Sequence, residues 1–523
     1  MRSRVIFYIL FACIITSLCV GCYDDKGNYD YVEAPELRID TAGLGILPEY
    51  AISRFDRLTI APNIYLNGKL VNDDADAPLD YLWTMYVTTA GVGVDYKIDT
   101  LGTSRVLDTE ITRSPEAYNV LLTVTNRENG LQSYFKVICG VEGTIPFGGW
   151  LVFYERADKP GTSDVGQIIN KLTKPTALYE KVFWNLYSSS NGEPLQGKPV
   201  KVSHTICAFP PNTEVVLSTD KDMVFLNQTT FSRIGSYSDF FFEAPANPGV
   251  SAYEQYAATA GGEVIISNNK LFMVAAMGKR NLFGTPRIEN YGELASWLCL
   301  FHNPSNLEAV VYDQTNGCFL YAPPSNVKLV PFKAQSADAA FDVNNVGAKL
   351  VMGDWGYGNY EYLVMNKDNN YHLAVANFNT STTDIDKFGV GWYDMSTSPE
   401  VSKMVSISAA FNGLYVLYGA GSSVYNFFYT TGQPAKQLWK APSADEVVTC
   451  VKLQKYGFLS FQTIMPNAHK VLHIATWNEK TQEGKLYQYS INPTDATLMG
   501  EPIIYTVPGK VMSMGWKVAM PGT

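Results

Sequence analysis

The chain has 523 residues and a formal net charge of −10; 17% of its residues are charged and 13% are aromatic. This length exceeds one ordinary domain, so we expect two or three. An acidic chain without a Lys/Arg-rich run lacks the clustered basic face that phosphate binding needs, which excludes nucleic acid as the partner. The many aromatic and few charged residues favour strands over surface helices.

Residues 1–21 have the pattern of a secretory signal peptide. Two arginines within the first four residues precede an apolar run from Val5 to Val20, and Gly21-Cys22 follows at once. The run is shorter than the roughly 20 apolar residues of a membrane-spanning helix. Because a cysteine stands directly after the cleavage site, we predict a lipoprotein that is cut before Cys22 and anchored by lipid on Cys22. The alternatives are a plain signal peptide with Cys22 incidental, and a signal anchor.

Residues 22–35 are polar and are interpreted as a lipidated tether. Asp24 and Asp25 lie just behind Cys22. Acidic residues at this position resemble the surface-export signal of Bacteroidetes lipoproteins. The resemblance implies an outer-membrane protein that is lipid-anchored and faces the cell exterior. An ordinary solvated tether is the alternative interpretation of the two aspartates.

Residues 36–142 have the pattern of an immunoglobulin-like β-sandwich. Leu79–Trp83 is a strand that carries a tryptophan, and Tyr118–Thr125 is a strand that begins with a tyrosine, as in such sandwiches. Only Cys139 lies in this region, so the usual disulfide between the sheets is absent. The tyrosine-led strand and the turn that ends at Gly130 resemble a PKD domain.

Residues 143–523 contain seven hairpins, each with an apolar strand, a polar turn and a second apolar strand. The turns are centred near residues 160, 220, 268, 315, 368, 420 and 480. A repeat of about 47 to 60 residues is typical of the four-stranded blades of a β-propeller with inserted loops. We therefore predict an all-β chain with a PKD-like sandwich followed by a seven-bladed β-propeller. A large sandwich, or two stacked sandwiches, is the alternative for this part.

The start Cys22-Tyr-Asp-Asp-Lys-Gly-Asn-Tyr-Asp30, the PKD-like region and the long β-rich remainder resemble the PKD-like family lipoproteins of Bacteroidetes. The resemblance implies association with a SusC/SusD-type outer-membrane importer. It further implies a role in capturing glycan or peptide at the cell surface. The family supplies no catalytic motif to carry over to this chain.

Catalytic motifs are absent from the sequence. There is no HExxH, GxSxG or P-loop, and the two histidines four residues apart, His469 and His473, lie in a strand-like run. The mature chain has five cysteines besides Cys22, and they are widely spaced. One disulfide between residues distant in the sequence therefore stays open as an alternative. We therefore expect no enzymatic activity, no cofactor and no bound metal.

The strongest candidate for ligand binding is the aromatic segment 353–360. Its rings can stack on sugar faces or peptide side chains, its polar side chains can hydrogen-bond a ligand, and its three glycines can bend a loop that keeps the rings exposed. The alternative is a loop whose rings pack against a neighbouring blade. The candidate ligand-binding residues are Asp354, Trp355, Tyr357, Asn359 and Tyr360.

The sequence favours a non-catalytic surface lipoprotein that binds a glycan or oligopeptide nutrient and assists an importer. Two other classes stay open. A surface hydrolase, either a glycosidase or a peptidase, can place its acids on separate blades of a propeller without leaving a sequence motif. An adhesive or structural surface protein would bind host matrix or cells instead of a soluble nutrient.

The anchor prediction is tested with Cys22→Ala. Without the cysteine no lipid is attached, and we expect the protein to be released from membranes or to stay as an uncleaved precursor. Several acyl chains, each contributing about 0.8 kcal/mol per buried CH₂, make the wild-type attachment stable. Membrane fractionation with mass measurement of the N-terminus is the assay. Normal membrane retention of a correctly cut variant would contradict the anchor.

Overall fold

The computed structural model describes residues 35–89, 97–113, 115–143, 145–146, 148–208, 211–255, 262–274, 282–301, 307–324, 326–380, 385–455 and 465–518, without the side chains of 206–208 and 211–213. Cys22, Asp24 and Asp25 lie outside these residues.

The N-terminal part folds into a β-sandwich. Its strands are β1 (Leu37–Asp40), β2 (Glu49–Ser53), β3 (Arg57–Ile60), β4 (Asn63–Leu66), β5 (Lys69–Leu70), β6 (Leu79–Val87), β7 (Asp99–Gly102), β8 (Leu107–Glu110), β9 (Glu116–Asn126) and β10 (Gln132–Glu142). The larger sheet has the order β2-β10-β9-β6-β7, and β1-β4-β5 and β3-β8 form two smaller sheets.

The sandwich core follows from the alternation of apolar residues along its strands. In β9, every second residue from Tyr118 to Val124 is buried, because successive side chains of a strand point to opposite faces. Trp83 on β6 is fully buried, and its indole N–H donates to the carbonyl of Ser104 at 3.0 Å. The predicted inward tryptophan is thereby confirmed, whereas Tyr118 is buried as the third residue of its strand and does not begin it.

Beyond the sandwich, the described strands form seven four-part blades. Blade 1 contains β11 (Gly149–Arg156), β12 (Thr162–Ile169), β13 (Lys181–Phe183), the short helix α1 (Leu186–Asn191), β14 (Leu195–Gln196) and, from the other end of the propeller, β36 (Gly509–Lys517); blade 2 contains β15 (Pro199–Ala208), β16 (Pro211–Thr219), β17 (Met223–Asn227) and β18 (Arg233–Ser236). Blade 3 contains β19 (Val250–Gln255), β20 (Glu263–Ser267) and β21 (Lys270–Val274), and blade 4 contains β22 (Ala309–Asp313) and β23 (Cys318–Ala322). Blade 5 contains β24 (Lys349–Trp355), β25 (Glu361–Lys367), β26 (Asn370–Ala376) and β27 (Gly389–Asp394); blade 6 contains β28 (Met404–Ala409), β29 (Val416–Ala420), β30 (Ser423–Phe427) and β31 (Lys436–Lys440); blade 7 contains β32 (Glu446–Leu453), β33 (Val471–Asn478), β34 (Glu483–Ile491) and β35 (Leu498–Val507).

Blades 3 and 4 complete their four parts with short extended segments in place of full strands. In blade 3, the N–H of Arg287 donates to the carbonyl of Leu271 at 2.9 Å, beyond β21. In blade 4, Leu294 pairs with Asp313 on the inner side of β22, and Val330 pairs with Tyr321 on the outer side of β23. The repeat is therefore irregular in strand length but regular in order.

Seven apolar clusters separate the blades, one between each neighbouring pair in the described residues. A strand supplies both of its faces to this packing: on β22, Val310 lies in the cluster shared with blade 5, and Val311 lies in the cluster shared with blade 3. Strands that are buried on both faces are continuously apolar. The fold is thus the predicted PKD-like sandwich followed by a seven-bladed β-propeller.

The ring closes by pairing the last described strand with the first strand of the propeller. β36 is the innermost strand of blade 1 and lies antiparallel to β11, with Trp516 opposite Trp150 and Gly149 opposite Lys517. Val511 and Met514 of β36 belong to the apolar cluster between blades 7 and 1. The two ends of the propeller therefore depend on each other for burial.

The sandwich docks on a segment of blade 1 between β12 and β13. The Lys174 ammonium forms a buried ion pair with Glu142 at the end of β10, and Lys181 pairs with Asp56. The hydroxyl of Tyr179 donates to the carbonyl of Arg57 at 2.9 Å. These contacts fix the sandwich against one side of the propeller.

Helices contribute little to the part of the chain that is described. Its α-helix, α1, has six residues. No helix in these residues has the length and apolarity that crossing a membrane requires.

Closure of the ring is tested with Val511→Asp. Val511 is fully buried, and a carboxylate without a partner at this position should lower the free energy of unfolding by several kcal/mol. Met512→Asp is the matched control, because Met512 is 41% exposed on the same strand and should shift stability by less than about 0.5 kcal/mol. Thermal unfolding of both variants is the measurement. Equal stabilities would contradict the closure by β36.

Candidate functional site

A polar cavity of about 290 Å³ lies at the centre of the propeller. It is lined by the inner strands β15, β19, β24 and β36 and by residues of blade 4 between 296 and 300. Blade 7 contributes Lys452 and Lys455, at and just beyond the end of its inner strand β32. Its charged and aromatic lining residues are Lys201, His204, Tyr253, Glu254, Trp297, Asp354, Trp355, Glu361, Lys452, Lys455 and Trp516. The cavity thus collects side chains from six of the seven blades.

The predicted segment 353–360 divides between this cavity and other surroundings. Asp354 and Trp355 end the inner strand β24 and line the cavity. Tyr357 and Asn359 lie in the turn to β25, where Tyr357 is exposed and Asn359 is half-buried with a positive φ of 57°. Tyr360 packs against the apolar cluster between blades 5 and 6. The structure therefore brings two of the five predicted residues together at one cavity.

Trp355 is packed more tightly than a loop residue would be. Its ring is 5% exposed and contacts Phe301 at a centroid distance of 4.8 Å and Phe411 at 6.0 Å. The neighbouring glycines permit this packing: a Cβ on Gly356 would lie 2.9 Å from the carbonyl oxygen of Ala410. The glycines were expected to keep the rings exposed, whereas here one of them allows close packing of the backbone.

A buried ion pair joins blades 5, 6 and 7 beside this tryptophan. The ammonium of Lys455 lies 2.5 Å from a carboxylate oxygen of Asp354 and 4.7 Å from the centroid of the Trp355 ring. It also donates to the carbonyl oxygens of Trp355 and, at 2.8 Å, of Ala409. The N–H of Ala409 donates in turn to Asp354 at 2.9 Å. The pair thus satisfies backbone groups at the ends of two inner strands, β24 and β28.

Burial and the neighbouring charges shift the pKa values of both partners of this pair. Burial lowers the pKa of Lys455 to about 8, although Asp354 opposes this change. Burial alone would raise the pKa of Asp354, but the ammonium groups of Lys455 and Lys452 outweigh it and leave that pKa below its usual value. Asp354 is therefore an anion at neutral pH.

Glu361 is the second buried carboxyl group of the cavity. Its Oε1 atom accepts hydrogen bonds from the N–H groups of Leu300 at 3.0 Å and Phe301 at 3.2 Å, and from the thiol of Cys299 at 3.4 Å. Burial raises its pKa to about 7 in spite of these donors, and the negative charge of Asp354 adds to the increase. Glu361 thus connects blade 5 to the inner segment of blade 4.

Two further lysines face the cavity from different blades. Lys201 of β15 forms an ion pair with Glu254 of β19. Lys452 of β32 lines the same cavity and is half-buried. Burial and the positive charge of Lys452 lower the pKa of Lys201 to about 7, which indicates that the two ammonium groups share this space.

The histidines serve as packing groups. His473 is fully buried, stacks on Trp150 at 3.8 Å and lies 3.1 Å from the side-chain oxygen of Gln454. His469 stacks on Phe411 at 4.7 Å. Within the described ranges, no group of three His, Cys, Asp or Glu residues is placed to hold a metal ion. The described cysteine side chains, Cys139, Cys299, Cys318 and Cys450, are free thiols.

Sequence reasoning missed the charged residues of the cavity. Lys452 and Lys455 lie about 90 residues from Glu361 in the sequence, and none of the three belongs to a recognisable motif, although Glu361 directly follows the aromatic segment 353–360. A usable signal was their position at the ends of apolar runs, since the inner strands of all blades end around the same central axis. That signal becomes informative only when the blade order is known.

Comparison with known proteins gives a partial family match. The model of the PKD-like family matches residues 22–199, about a third of the chain, from Cys22 to the start of β15. No curated protein matches the chain.

Several solved structures are similar to the chain at low identity. A quinonprotein alcohol dehydrogenase-like protein from Bacteroides thetaiotaomicron has 13% identity and a TM-score of 0.42, covering 91% of this chain and 98% of that one. A protein from Lactobacillus plantarum has 12% identity and a TM-score of 0.42, covering 71% and 99%. Saccharomyces cerevisiae Sqt1 has 11% identity and a TM-score of 0.39, covering 68% and 82%. The assignment of seven blades rests on the strand order and apolar clusters of this chain, not on these likenesses.

Glu361 should make stability depend on pH. Its pKa rises from 4.5 in the unfolded chain to about 7, so its contribution to stability is complete below pH 4.5 and is lost as the pH rises through 7. The loss amounts to about 3 kcal/mol. Glu361→Gln keeps an oxygen acceptor and does not ionise, so its stability relative to wild type should rise by about this amount between pH 4.5 and 8.

The measurement is thermal unfolding of both proteins across this pH range. Taking the difference cancels the titrating groups that do not interact with Glu361, such as His372. Glu128→Gln, at an exposed position of the sandwich, is the control and should follow wild type at every pH. A pH-independent difference for Glu361→Gln would show that Glu361 does not change its ionisation on folding.

Proposed function

We propose that the protein is a non-catalytic cell-surface lipoprotein that binds a glycan or oligopeptide nutrient in its central cavity and assists a SusC/SusD-type outer-membrane importer. The lipid on Cys22 holds it to the outer membrane, and Asp24 and Asp25 direct it to the cell exterior. The observation that carries the proposal is the cavity itself, which combines indole rings with charged side chains from several blades.

The volume of the cavity limits the size of the ligand group that it can bind. At about 290 Å³ it lies at the lower limit of ligand pockets, roughly 300 to 1,000 Å³. It accommodates one sugar ring or one amino-acid residue, so a longer nutrient inserts an end group and extends outward. Few contacts to one residue give a modest affinity, which suits a protein that must release its ligand to an importer.

Two buried ionisable groups of the cavity, Lys455 and Glu361, have structural partners, which supports binding over catalysis. Lys455 donates to Asp354 and to two backbone carbonyl groups, and Glu361 accepts from two backbone N–H groups. A nucleophile or general acid has to reach a substrate, whereas these groups already hold inner strands in place. Their role in this proposal is to shape the cavity.

The importer partnership rests on different observations. The PKD-like family model begins at Cys22 and covers the predicted tether as well as the sandwich. The sequence of the tether resembles lipoproteins that accompany such importers. A sandwich between tether and propeller serves as a spacer that lifts the cavity off the lipid.

Binding without turnover is tested by equilibrium dialysis against a defined mixture of oligosaccharides and oligopeptides. Wild type should deplete some members without forming shorter products. Ser296→Trp places a ring at an exposed lining position and should remove the depletion by filling the cavity. Ser189→Trp, exposed on α1, is the control and should bind as wild type does. New, shorter products would identify a hydrolase instead, and depletion by Ser296→Trp would place the site elsewhere.

The importer is sought by affinity purification of the tagged protein from detergent-extracted outer membranes, followed by mass spectrometry. A TonB-dependent importer should co-purify in near-stoichiometric amount with wild type. Recovery of a lone monomer would contradict the partnership and leave the ligand-binding result unaffected.

A further inference from the structure

Lys452 differs from the other cations of the cavity. Lys201 is paired with Glu254, and Lys455 is paired with Asp354. The ammonium of Lys452 has no ion pair and no side-chain hydrogen bond to any residue in the described part of the chain. Its charge nevertheless acts on the pKa values of Lys201, Asp354 and Lys455. Lys452 is half-buried and lines the same cavity as these groups.

Three serine residues line the cavity together with this lysine. Ser203, Ser251 and Ser296 come from blades 2, 3 and 4, and their hydroxyls make no hydrogen bond to the residues that the structure describes. A hydroxyl can donate to an anion while the ammonium supplies the charge. The cavity thus has a free cation and free donors on inner strands that face one another.

We propose that the central cavity recognises a carboxylate, carried by an acidic sugar or by the C-terminus of a peptide, through an ion pair with Lys452. This inference rests on the proposed function, because it names the chemical class of the ligand bound at that same cavity.

The charge balance of the cavity favours an anion over a cation or a neutral group. Its lining has three lysines and three carboxyl groups, Glu254, Asp354 and Glu361. Glu361 is the carboxyl group whose burial keeps it partly protonated near pH 7. Lys201 and Lys455 each have a carboxylate partner, so Lys452 is the lysine of the cavity lining that forms no ion pair with the described residues. A carboxylate that enters exchanges the water around one ammonium for a charged hydrogen bond in a partly buried site.

The test uses two pairs of probes that differ only in the carboxylate, measured by isothermal titration calorimetry with the detergent-purified protein. D-glucuronate is compared with D-glucose, and N-acetylglycine is compared with its amide. At least one acid should bind roughly tenfold or more tightly than its neutral partner. Lys452→Met should lower the affinity for that acid to the level of the neutral partner, and Lys452→Arg should retain the preference. Lys436→Met, at an exposed position of β31, is the control and should bind as wild type does.

The outcomes separate the two proposals and the two ligand sources. Preference for D-glucuronate alone identifies an acidic sugar, and preference for N-acetylglycine alone identifies a peptide C-terminus. Equal affinity for acids and neutral partners overturns the carboxylate inference, as does an unchanged preference in Lys452→Met or the absence of binding by all four probes. Each of these results leaves the dialysis experiment to decide whether the cavity binds a nutrient at all.

Discussion

Burial of both faces of every blade is the constraint on which the rest of this structure depends. A blade with apolar residues on two faces exposes one of them unless a neighbour stands on each side. A ring provides two neighbours for every blade, and the ring here closes only because β36 pairs with β11. Val511 and Trp150 lie in the cluster that this closure creates between blades 7 and 1. The last strand of the chain is therefore as necessary to the core as the first.

The same arrangement makes the centre of the ring polar. Each inner strand has a free edge toward the axis, and its N–H and C=O groups need partners. Side chains from adjacent blades supply them: the Ser408 hydroxyl accepts from the N–H of Leu453 at 3.0 Å, and Lys455 donates to the carbonyls of Trp355 and Ala409. The first role of these polar residues near the axis is therefore structural, because they pair with backbone groups of the inner strands. The ligand recognition that we propose depends on the groups that have no such backbone partner, such as Lys452.

This distinction explains what the sequence could and could not predict. The seven hairpins follow from local alternation of strand and turn, and each corresponds to the two middle strands of a blade, such as β25 and β26 around the turn near residue 368. Closure by β36 has no local signal, because its partner β11 lies more than 300 residues away in the sequence. Segment 353–360 was recognisable by its composition, yet of its five candidate residues only Asp354 and Trp355 lie at the cavity. Lys455 and Glu361 become neighbours only after the blades are assembled.

Docking of the sandwich on blade 1 decides how the propeller can be presented in the proposed lipoprotein. A flexible hinge would let the cavity swing around its anchor, whereas the ion pair of Lys174 and Glu142 is buried at the junction. Removing one partner of such a pair costs about 3 to 5 kcal/mol, because the other charge stays buried without a counter-ion. The sandwich and the propeller are therefore expected to move together. In the proposed lipoprotein, the chain from Cys22 to Pro35 would span at most roughly 45 Å if it were fully extended. If the proposed anchor holds, a rigid spacer on so short a segment would keep the cavity close to the membrane, which would favour transfer to a partner held in the same membrane over capture at long range.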